Sequence, residues 1–213
     1  MDPYVYPGTS VLRNLRDIRA PERLARFEAD ATSGRISELE EKPVTGTFDS
    51  RHLQTIHHYI FQDVYPWAGE FRTVNISRPG GMFAFQEFIV PSINKSFGEL
   101  EKERYLSGAD LKRFSNRAAY YMGEINAVHP FREGNGRTQR EFMRQLAQRN
   151  GYALNWSRVS QEQVYEASKS SFQRGDNSGL EMAIRAALDC EHNKAGEKNA
   201  GATRQRGDEE RER

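Results

Sequence analysis

The chain has 213 residues, of which 37% are hydrophobic and 29% charged, so it is long enough for one substantial core. Its 31 basic and 30 acidic residues give a net charge of +1, which argues against a broad nucleic-acid surface. No apolar run approaches the roughly 18 residues of a membrane span, and we expect no signal peptide. A single cysteine cannot form an internal disulfide, which favours a reducing compartment.

The first part of the chain predicts an extended segment followed by two helices. Residues 2–20 are rich in proline and tyrosine and predict a lead-in on the surface of the domain. Pro21 suits the first position of a helix, which residues 32–34 should interrupt before Pro43. Asp49, or the serine after it, can cap a second helix whose apolar residues recur three and four apart.

A short β-hairpin is predicted after the second helix. Residues 71–76 are the best strand candidate, 78–81 carry Arg-Pro-Gly-Gly as a turn, and 82–85 can return as the second strand. We therefore expect a hairpin over 71–86. Because an isolated hairpin is marginally stable, it should pack against a helical body.

Helical periodicity dominates the rest of the chain. The apolar stripe from Leu111 to Ile125 predicts a central helix over 109–127, which Pro130 should end by disfavouring the α conformation at His129. The fold class is therefore predominantly all-α, with 1–190 as one domain and the charged residues 191–213 as a disordered tail or linker. The other predicted helices run from 88 to the break at 105–108, and over 137–149, 160–173 and 178–189.

The sequence HPFREGNGRTQR, at positions 129–140, carries the most usable chemistry in the chain. A glycine-rich turn that opens a helix presents free backbone N–H groups and a partial positive charge to an anion. Gly134 and Gly136 allow an anion to approach the backbone closely. Asn135 tolerates left-handed dihedrals and can donate from its side-chain amide.

Charged side chains surround this turn. Arg137 and Arg140 offer planar donors on one flank of the helix, which together with the turn predict a polyphosphate site. Glu133 would repel phosphate unless Mg²⁺ bridges the two. His129 is a candidate general base for a hydroxyl that attacks phosphorus, and Phe131 a hydrophobic anchor of the loop. Taken singly, each residue has a structural alternative: a packing histidine, solvated arginines or an ordinary turn.

The same twelve residues match the Fic motif HPFx(D/E)GNGRxxR without departure. Residues 65–72, YPWAGEFR, also resemble the segment that leads into the flap of that family. The resemblance covers about residues 10–190. It implies an α-helical domain that transfers AMP from ATP to a hydroxyl side chain of a target protein, with the hairpin at 71–86 as the flap.

The resemblance also implies a role for each motif residue. His129 would be the general base and Glu133 the Mg²⁺ ligand. The turn Gly134, Asn135 and Gly136 would form the anion hole for the α- and β-phosphates, Arg137 would assist at the β-phosphate and Arg140 would hold the γ-phosphate. The flap would align the target segment as an added strand. Its expected docking residues are Ile76, Ser77, Met82 and Phe83.

Two motif positions bear on the reaction type. The kinase-like Doc branch of the family carries lysine in place of Gly136 and lacks the arginine equivalent to Arg140, so adenylyl transfer is favoured over phosphoryl transfer. The branch that transfers phosphocholine has alanine in place of Gly134. Phosphoryl or other nucleotidyl transfer, and a non-catalytic nucleotide-binding module, stay open as alternatives.

Regulation and partners are inferred from the resemblance as well. Many members carry an inhibitory pattern, (S/T)xxxE(G/N), which this chain lacks, since residues 37–42 end in lysine. The chain is therefore expected to be constitutively active or controlled by a small antitoxin protein. The expected target is a type II topoisomerase in the bacterial cytoplasm, or a host GTPase if the domain belongs to a secreted effector. No membrane or direct nucleic-acid partner is expected.

Overall fold

The computed structural model describes residues 2–78 and 80–188, and within them it contains seven α-helices and one two-stranded sheet. In β1 (Ser77–Arg78) and β2 (Gly81–Met82), Ser77 lies opposite Met82 in an antiparallel pair. The prediction of a predominantly all-α fold with one small hairpin is confirmed. The helices are α1 (Pro21–Glu41), α2 (Ser50–Phe61), α3 (Ile89–Lys102), α4 (Leu111–Val128), α5 (Asn135–Arg149), α6 (Gln161–Arg174) and α7 (Ser178–Ala187).

Local chemistry accounts for several helix starts. Asp49 caps α2 by accepting a hydrogen bond from the His52 N–H at 2.8 Å, and Asp110 caps α4 in the same way. Ser160 and Gln163 form a reciprocal capping box at the start of α6. These helices begin close to where the sequence predicted them.

The predicted break in α1 was wrong. Residues 32–34 do not interrupt this helix, which continues for 21 residues. Thr32 is buried, and its hydroxyl donates to the Glu28 carbonyl one turn earlier at 2.8 Å, so it adds a bond to the helix. Burial of this residue against the rest of the protein outweighs the turn-forming tendency of its neighbours.

The predicted strand over 71–76 was also wrong, and pairing begins only at Ser77. The reason is Arg72, which is buried and lies in the middle of that segment. Its backbone N–H donates to the Pro130 carbonyl at 2.8 Å instead of to a partner strand, and its guanidinium ties the segment to the end of α4 and to the far side of the hairpin. The backbone carbonyls that accept from it are those of Val74, Ala84, Val128 and His129.

The central position of α4 agrees with its predicted apolar stripe, since it contacts α3, α5, α6 and α7. A second group of helices forms around α2, which contacts α1 and α5. The loop between α4 and α5, residues 129–134, therefore lies between these two groups of helices. No helix in the part of the chain that the structure describes is both long and apolar enough to cross a membrane.

The N-terminal segment was expected to lie on the surface, and the structure differs from that expectation. The lead-in is partly internal, because Tyr4 is buried with its ring edge against Trp67 at 5.3 Å, and Asp2 pairs with Arg132 at 2.8 Å. This segment therefore supports the predicted catalytic loop. The predicted tail, 191–213, lies outside the described residues.

Candidate active site

The α4–α5 loop is held in shape by Asn135. Its amide donates to the Phe131 carbonyl at 2.8 Å, and its Oδ1 accepts from the Phe131 N–H at 2.9 Å. The left-handed positions are His129, with φ 51°, and Gly134, with φ 81°, instead of Asn135 itself. The side chain of Asn135 therefore supports the loop, and its backbone N–H at the start of α5 is available to an anion.

A cavity of about 260 Å³ opens where α5 begins. The helix starts without a side-chain cap, so the N–H groups of its first turn are free for a ligand. Phe131 and Arg137 are not part of the cavity wall. The predicted residues that do line it are His129, Glu133, Gly134, Asn135, Gly136 and Arg140.

Arg140 supplies this cavity with an unpaired positive charge. No carboxylate of residues 2–78 or 80–188 forms an ion pair with its guanidinium, and burial together with the charge of Arg137 lowers the pKa of Arg140. Gly136 leaves room beside it, since a Cβ at that position would lie 3.5 Å from the Arg140 Nη1. A half-buried cation beside a helix N-terminus favours binding of an anion.

Arg137 is directed toward α1, away from the cavity. Its guanidinium pairs with Glu28, donates to the Thr32 hydroxyl at 3.1 Å and lies over the Phe61 ring at 4.7 Å. Its contact with the β-phosphate therefore stays a prediction, and one that requires Arg137 to leave Glu28. The sequence did not single out Glu28, because the ion pair joins positions 109 residues apart.

Glu133 lies at the mouth of the cavity. Its Oε1 accepts from the Gly134 N–H at 2.8 Å and is 3.5 Å from the Arg137 guanidinium. Within the described residues there is no group of three or more His, Cys, Asp or Glu that could hold a metal ion by itself. One carboxylate together with phosphate oxygens is a ligand set that Mg²⁺ accepts, so the residues fit a magnesium ion that arrives with a nucleotide.

His129 lies at the end of α4, where the hairpin covers its ring. Phe83, directly after β2, stacks on the imidazole at 3.9 Å with an angle of 13° between the rings. Burial lowers the pKa of His129 to about 3, and the charges of Arg78 and Arg72 act in the same direction. The imidazole is therefore uncharged at neutral pH and able to accept a proton.

The four predicted docking residues of the hairpin differ in exposure. Ser77 and Met82 are exposed and face each other across the strand pair, and Ile76 is half-buried. Phe83 is only 5% exposed, because its ring is packed between His129 and Phe172. A target segment could therefore reach Ser77 and Met82 directly, whereas Phe83 covers the histidine.

Two further cavity residues were missed by the sequence reasoning. Arg78 of β1 lies over the Phe172 ring at 4.3 Å and donates to the Ser168 carbonyl at 3.2 Å, which fastens the hairpin to α6. Gln139 is buried in the cavity wall, and its Nε2 has no hydrogen-bond partner in the described chain. Its place inside the motif was the available signal that it could contribute a donor to a ligand.

His57 of α2 is fully buried beneath the loop. Its ring stacks on Phe131, itself 1% exposed, at 3.9 Å. Its Nδ1 accepts from the Gly69 N–H at 2.8 Å, and its Nε2 lies 3.0 Å from the Glu133 carbonyl oxygen. Burial lowers the pKa of His57 to about 3.

Acidification is expected to destabilise the protein through His57. Its pKa is about 3 in the folded chain against 6.5 when exposed, so between these values the unfolded state binds more protons and the free energy of unfolding rises with pH. Lowering the pH from 7 to 5 should cost about 2 kcal/mol at this residue. Urea unfolding at both pH values measures how much the free energy of unfolding falls on acidification. In His57→Gln this fall should be smaller than in the wild type by about 2 kcal/mol. Equal losses in the variant and the wild type would contradict this.

A larger cavity, of about 560 Å³, lies at the far end of α5. The arginine in its wall, Arg144, already bonds to Glu141 and to the Leu39 carbonyl, both at 2.7 Å. The arginine of this cavity is therefore not free, unlike Arg140 in the cavity at the start of α5, which is the better candidate site for an anion.

The fold and the site together define a helical domain with a candidate anion-binding site at a helix start. Residues 47–147 match the family model described as Fic/DOC family. The probable protein adenylyltransferase Fic of Escherichia coli is 38% identical over 181 residues, which cover 85% of this chain and 89% of that protein. The chain belongs to the Fic/DOC family, and the resemblance drawn from its motif is confirmed.

Two Bartonella proteins extend this comparison. The protein adenylyltransferase VbhT of Bartonella schoenbuchensis is 43% identical over 183 residues, which cover 86% of this chain but only 38% of VbhT. The crystal structure of the effector BepC from Bartonella tribocorum, with bound AMPPNP, matches with a TM-score of 0.82 at 25% identity. That match covers 87% of this chain and 96% of the BepC chain. The relatives belong to the protein adenylyltransferase class that the sequence predicted.

Proposed function

We propose that this chain is a protein adenylyltransferase that moves AMP from ATP to a hydroxyl side chain of a target protein. The observation that carries the proposal is the unpaired Arg140 at the start of α5, which shares one cavity with the neutral His129. The names of the relatives, and the AMPPNP bound to BepC, support ATP as the substrate.

In this proposal the phosphates of ATP lie against the start of α5. The backbone N–H groups of Asn135 and Gly136 bind the α- and β-phosphates, and Arg140 holds the γ-phosphate. The Gly134 N–H would join them only after it leaves the Glu133 Oε1. Mg²⁺, held by Glu133 and phosphate oxygens, would offset the negative charge at this point. Arg137 reaches the β-phosphate only after release from Glu28.

The chemical step is a displacement at the α-phosphorus. His129 accepts the proton of the target hydroxyl while the hydroxyl oxygen forms a bond to the α-phosphorus. The bond from the α-phosphorus to the oxygen that bridges to the β-phosphate breaks, and pyrophosphate leaves with that electron pair. Phe83 covers a face of the imidazole, so the hydroxyl would approach a ring nitrogen in the plane of the ring, where its lone pair lies.

The target and the control of the enzyme are part of the same proposal. The target, a type II topoisomerase or a host GTPase, docks on the hairpin through Ile76, Ser77 and Met82. Because the chain lacks the inhibitory sequence pattern, a separate antitoxin protein controls access to Arg140. The domain acts in the bacterial cytoplasm, or in a host cell if it is part of an effector, for which the similarity to BepC is the support.

Incubation with labelled ATP, Mg²⁺ and cell lysate tests the proposal, with His129→Ala as the control. We expect a target protein to gain the mass of AMP in the wild-type reaction alone. Gain of a phosphate would replace this proposal by phosphoryl transfer. ATP binding without any transferred group would favour the non-catalytic nucleotide-binding module.

Arg140→Ala is expected to weaken ATP binding by about 10- to 150-fold, because a charge-assisted hydrogen bond to phosphate is lost. The melting temperature should change little, since Arg140 has no carboxylate partner in the described chain to lose. Titration calorimetry and thermal unfolding measure the two quantities.

Arg144→Ala is the matched control, on the same helix. Arg144 pairs with the buried Glu141, so its loss should destabilise the protein by about 3–5 kcal/mol and leave ATP affinity unchanged. A large fall in the melting temperature of Arg140→Ala would contradict the assignment of Arg140 to the ligand.

A further inference from the structure

The hydrogen bonds of His57 define its tautomer. Nδ1 accepts from the Gly69 N–H at 2.8 Å, so the proton of the neutral ring has to be on Nε2. Nε2 therefore donates to the Glu133 carbonyl oxygen, which lies 3.0 Å away. A buried side chain of α2 thus holds a backbone atom of the catalytic loop, 76 residues further along the chain.

This bond orients more than one atom. In a trans peptide the C=O and the following N–H point in opposite directions. When His57 holds the Glu133 carbonyl toward α2, the Gly134 N–H has to point away from α2. There it donates to the Glu133 Oε1 at 2.8 Å. The orientation of this one peptide therefore sets both an N–H of the predicted anion hole and the position of the carboxylate.

Packing around His57 leaves the ring little freedom. It is stacked on Phe131 at 3.9 Å on one side and lies 4.7 Å from the Phe61 ring. Phe61 in turn closes off Gly134, where a Cβ would lie 2.2 Å from the aromatic ring. The two α2 residues thus hold the Glu133–Gly134 peptide through a hydrogen bond and through a close contact.

We propose that His57 is a positioning residue that fixes the Glu133–Gly134 peptide and so holds the Glu133 carboxylate in place for Mg²⁺. The inference rests on the proposed function, because it assigns Mg²⁺ to Glu133. Partners that orient a metal ligand without touching the metal commonly change metal affinity by about 10- to 100-fold when removed. An effect of that size is therefore expected at His57.

The test compares variants of His57 with the same change at the adjacent His58, which is exposed. His57→Phe keeps an aromatic ring but loses both hydrogen bonds. His57→Gln retains a donor near the position of Nε2 and loses the Nδ1 acceptor. His58→Phe is the matched control. For each protein, ATP binding is titrated with Mg²⁺, and hydrogen exchange is measured over residues 131–136.

In His57→Phe, the Mg²⁺ concentration for half-maximal ATP binding should rise about 10- to 100-fold, and exchange over 131–136 should accelerate. His57→Gln should recover part of both losses, and His58→Phe should match the wild type. In a Glu133→Gln background, His57→Phe should raise the Mg²⁺ requirement no further, because the carboxylate that it positions is already gone.

A purely structural role would give a different result. An unchanged Mg²⁺ requirement in His57→Phe, or a full additional effect in the Glu133→Gln background, would overturn the inference even if the melting temperature fell. Wild-type protein that binds Mg²⁺ and ATP but transfers nothing would count against the proposed function alone. Wild-type protein that binds no ATP in the presence of Mg²⁺ would overturn both.

Discussion

His129→Ala is expected to lower the rate of AMP transfer by about 10²- to 10⁴-fold, which is the usual contribution of a positioned general base. The structure supports this role because burial lowers the pKa of the imidazole, which is uncharged at neutral pH, and because the ring lines the same cavity as Arg140. ATP affinity should stay within a few-fold of the wild type, since the proposed role of His129 is at the target hydroxyl and not at the phosphates. Single-turnover rates with a saturating target protein, together with ATP titrations, measure the two effects.

The pH dependence gives an independent check on the same residue. The pH profile of kcat/KM reports ionisations of the free enzyme, in which His129 titrates near 3 because it is buried under Phe83. The wild-type profile should therefore show no histidine step near pH 6.5. A variant with the ring uncovered, Phe83→Ala, should show that step. A wild-type step at pH 6.5, or His129→Ala with wild-type rates, would refute the assignment of His129 as the buried base.

Gly134→Ala is expected to destabilise the protein by about 2–5 kcal/mol. Gly134 has φ 81°, a conformation that costs a residue with a Cβ about 1–2 kcal/mol, and its Cβ would lie 2.2 Å from the Phe61 ring. Overpacking of this kind adds about 1–3 kcal/mol. Urea unfolding measures the loss. ATP binding should also fall, because displacement of Phe61 disturbs the ring over which Arg137 lies.

Two comparisons isolate the clash at Gly134. Gly136→Ala should leave the free energy of unfolding nearly unchanged, since its Cβ would contact only the Arg140 Nη1, at an ordinary distance of 3.5 Å. Phe61→Leu should lose stability alone but recover part of the loss when combined with Gly134→Ala, because the smaller side chain relieves the contact. If Gly134→Ala were as stable as the wild type, the close contact with Phe61 would not exist in solution.

The helix pattern and the chemistry of the loop were predictable because their causes are local in the sequence. The start of α2 depends on Asp49 and the N–H three residues later, and the end of α4 on the proline that follows His129. The motif 129–140 is contiguous, so its glycines, carboxylate and arginines had to meet near one helix start. The predicted strand bounds were wrong because the backbone N–H of the buried Arg72 bonds to the Pro130 carbonyl, far along the chain, instead of to a partner strand.

By itself, the sequence determined the family, the helical fold and the residues that form the candidate phosphate-binding loop. Only the tertiary structure decided how these side chains are shared between the ligand and the protein. Arg137 and Arg140 are three positions apart in the sequence. Arg137 nevertheless pairs with Glu28 of α1, whereas Arg140 lines the cavity. His57 bonds to Glu133 because α2 lies against the loop. Such contacts depend on which helix faces pack together, and no pattern within a single segment carries that information.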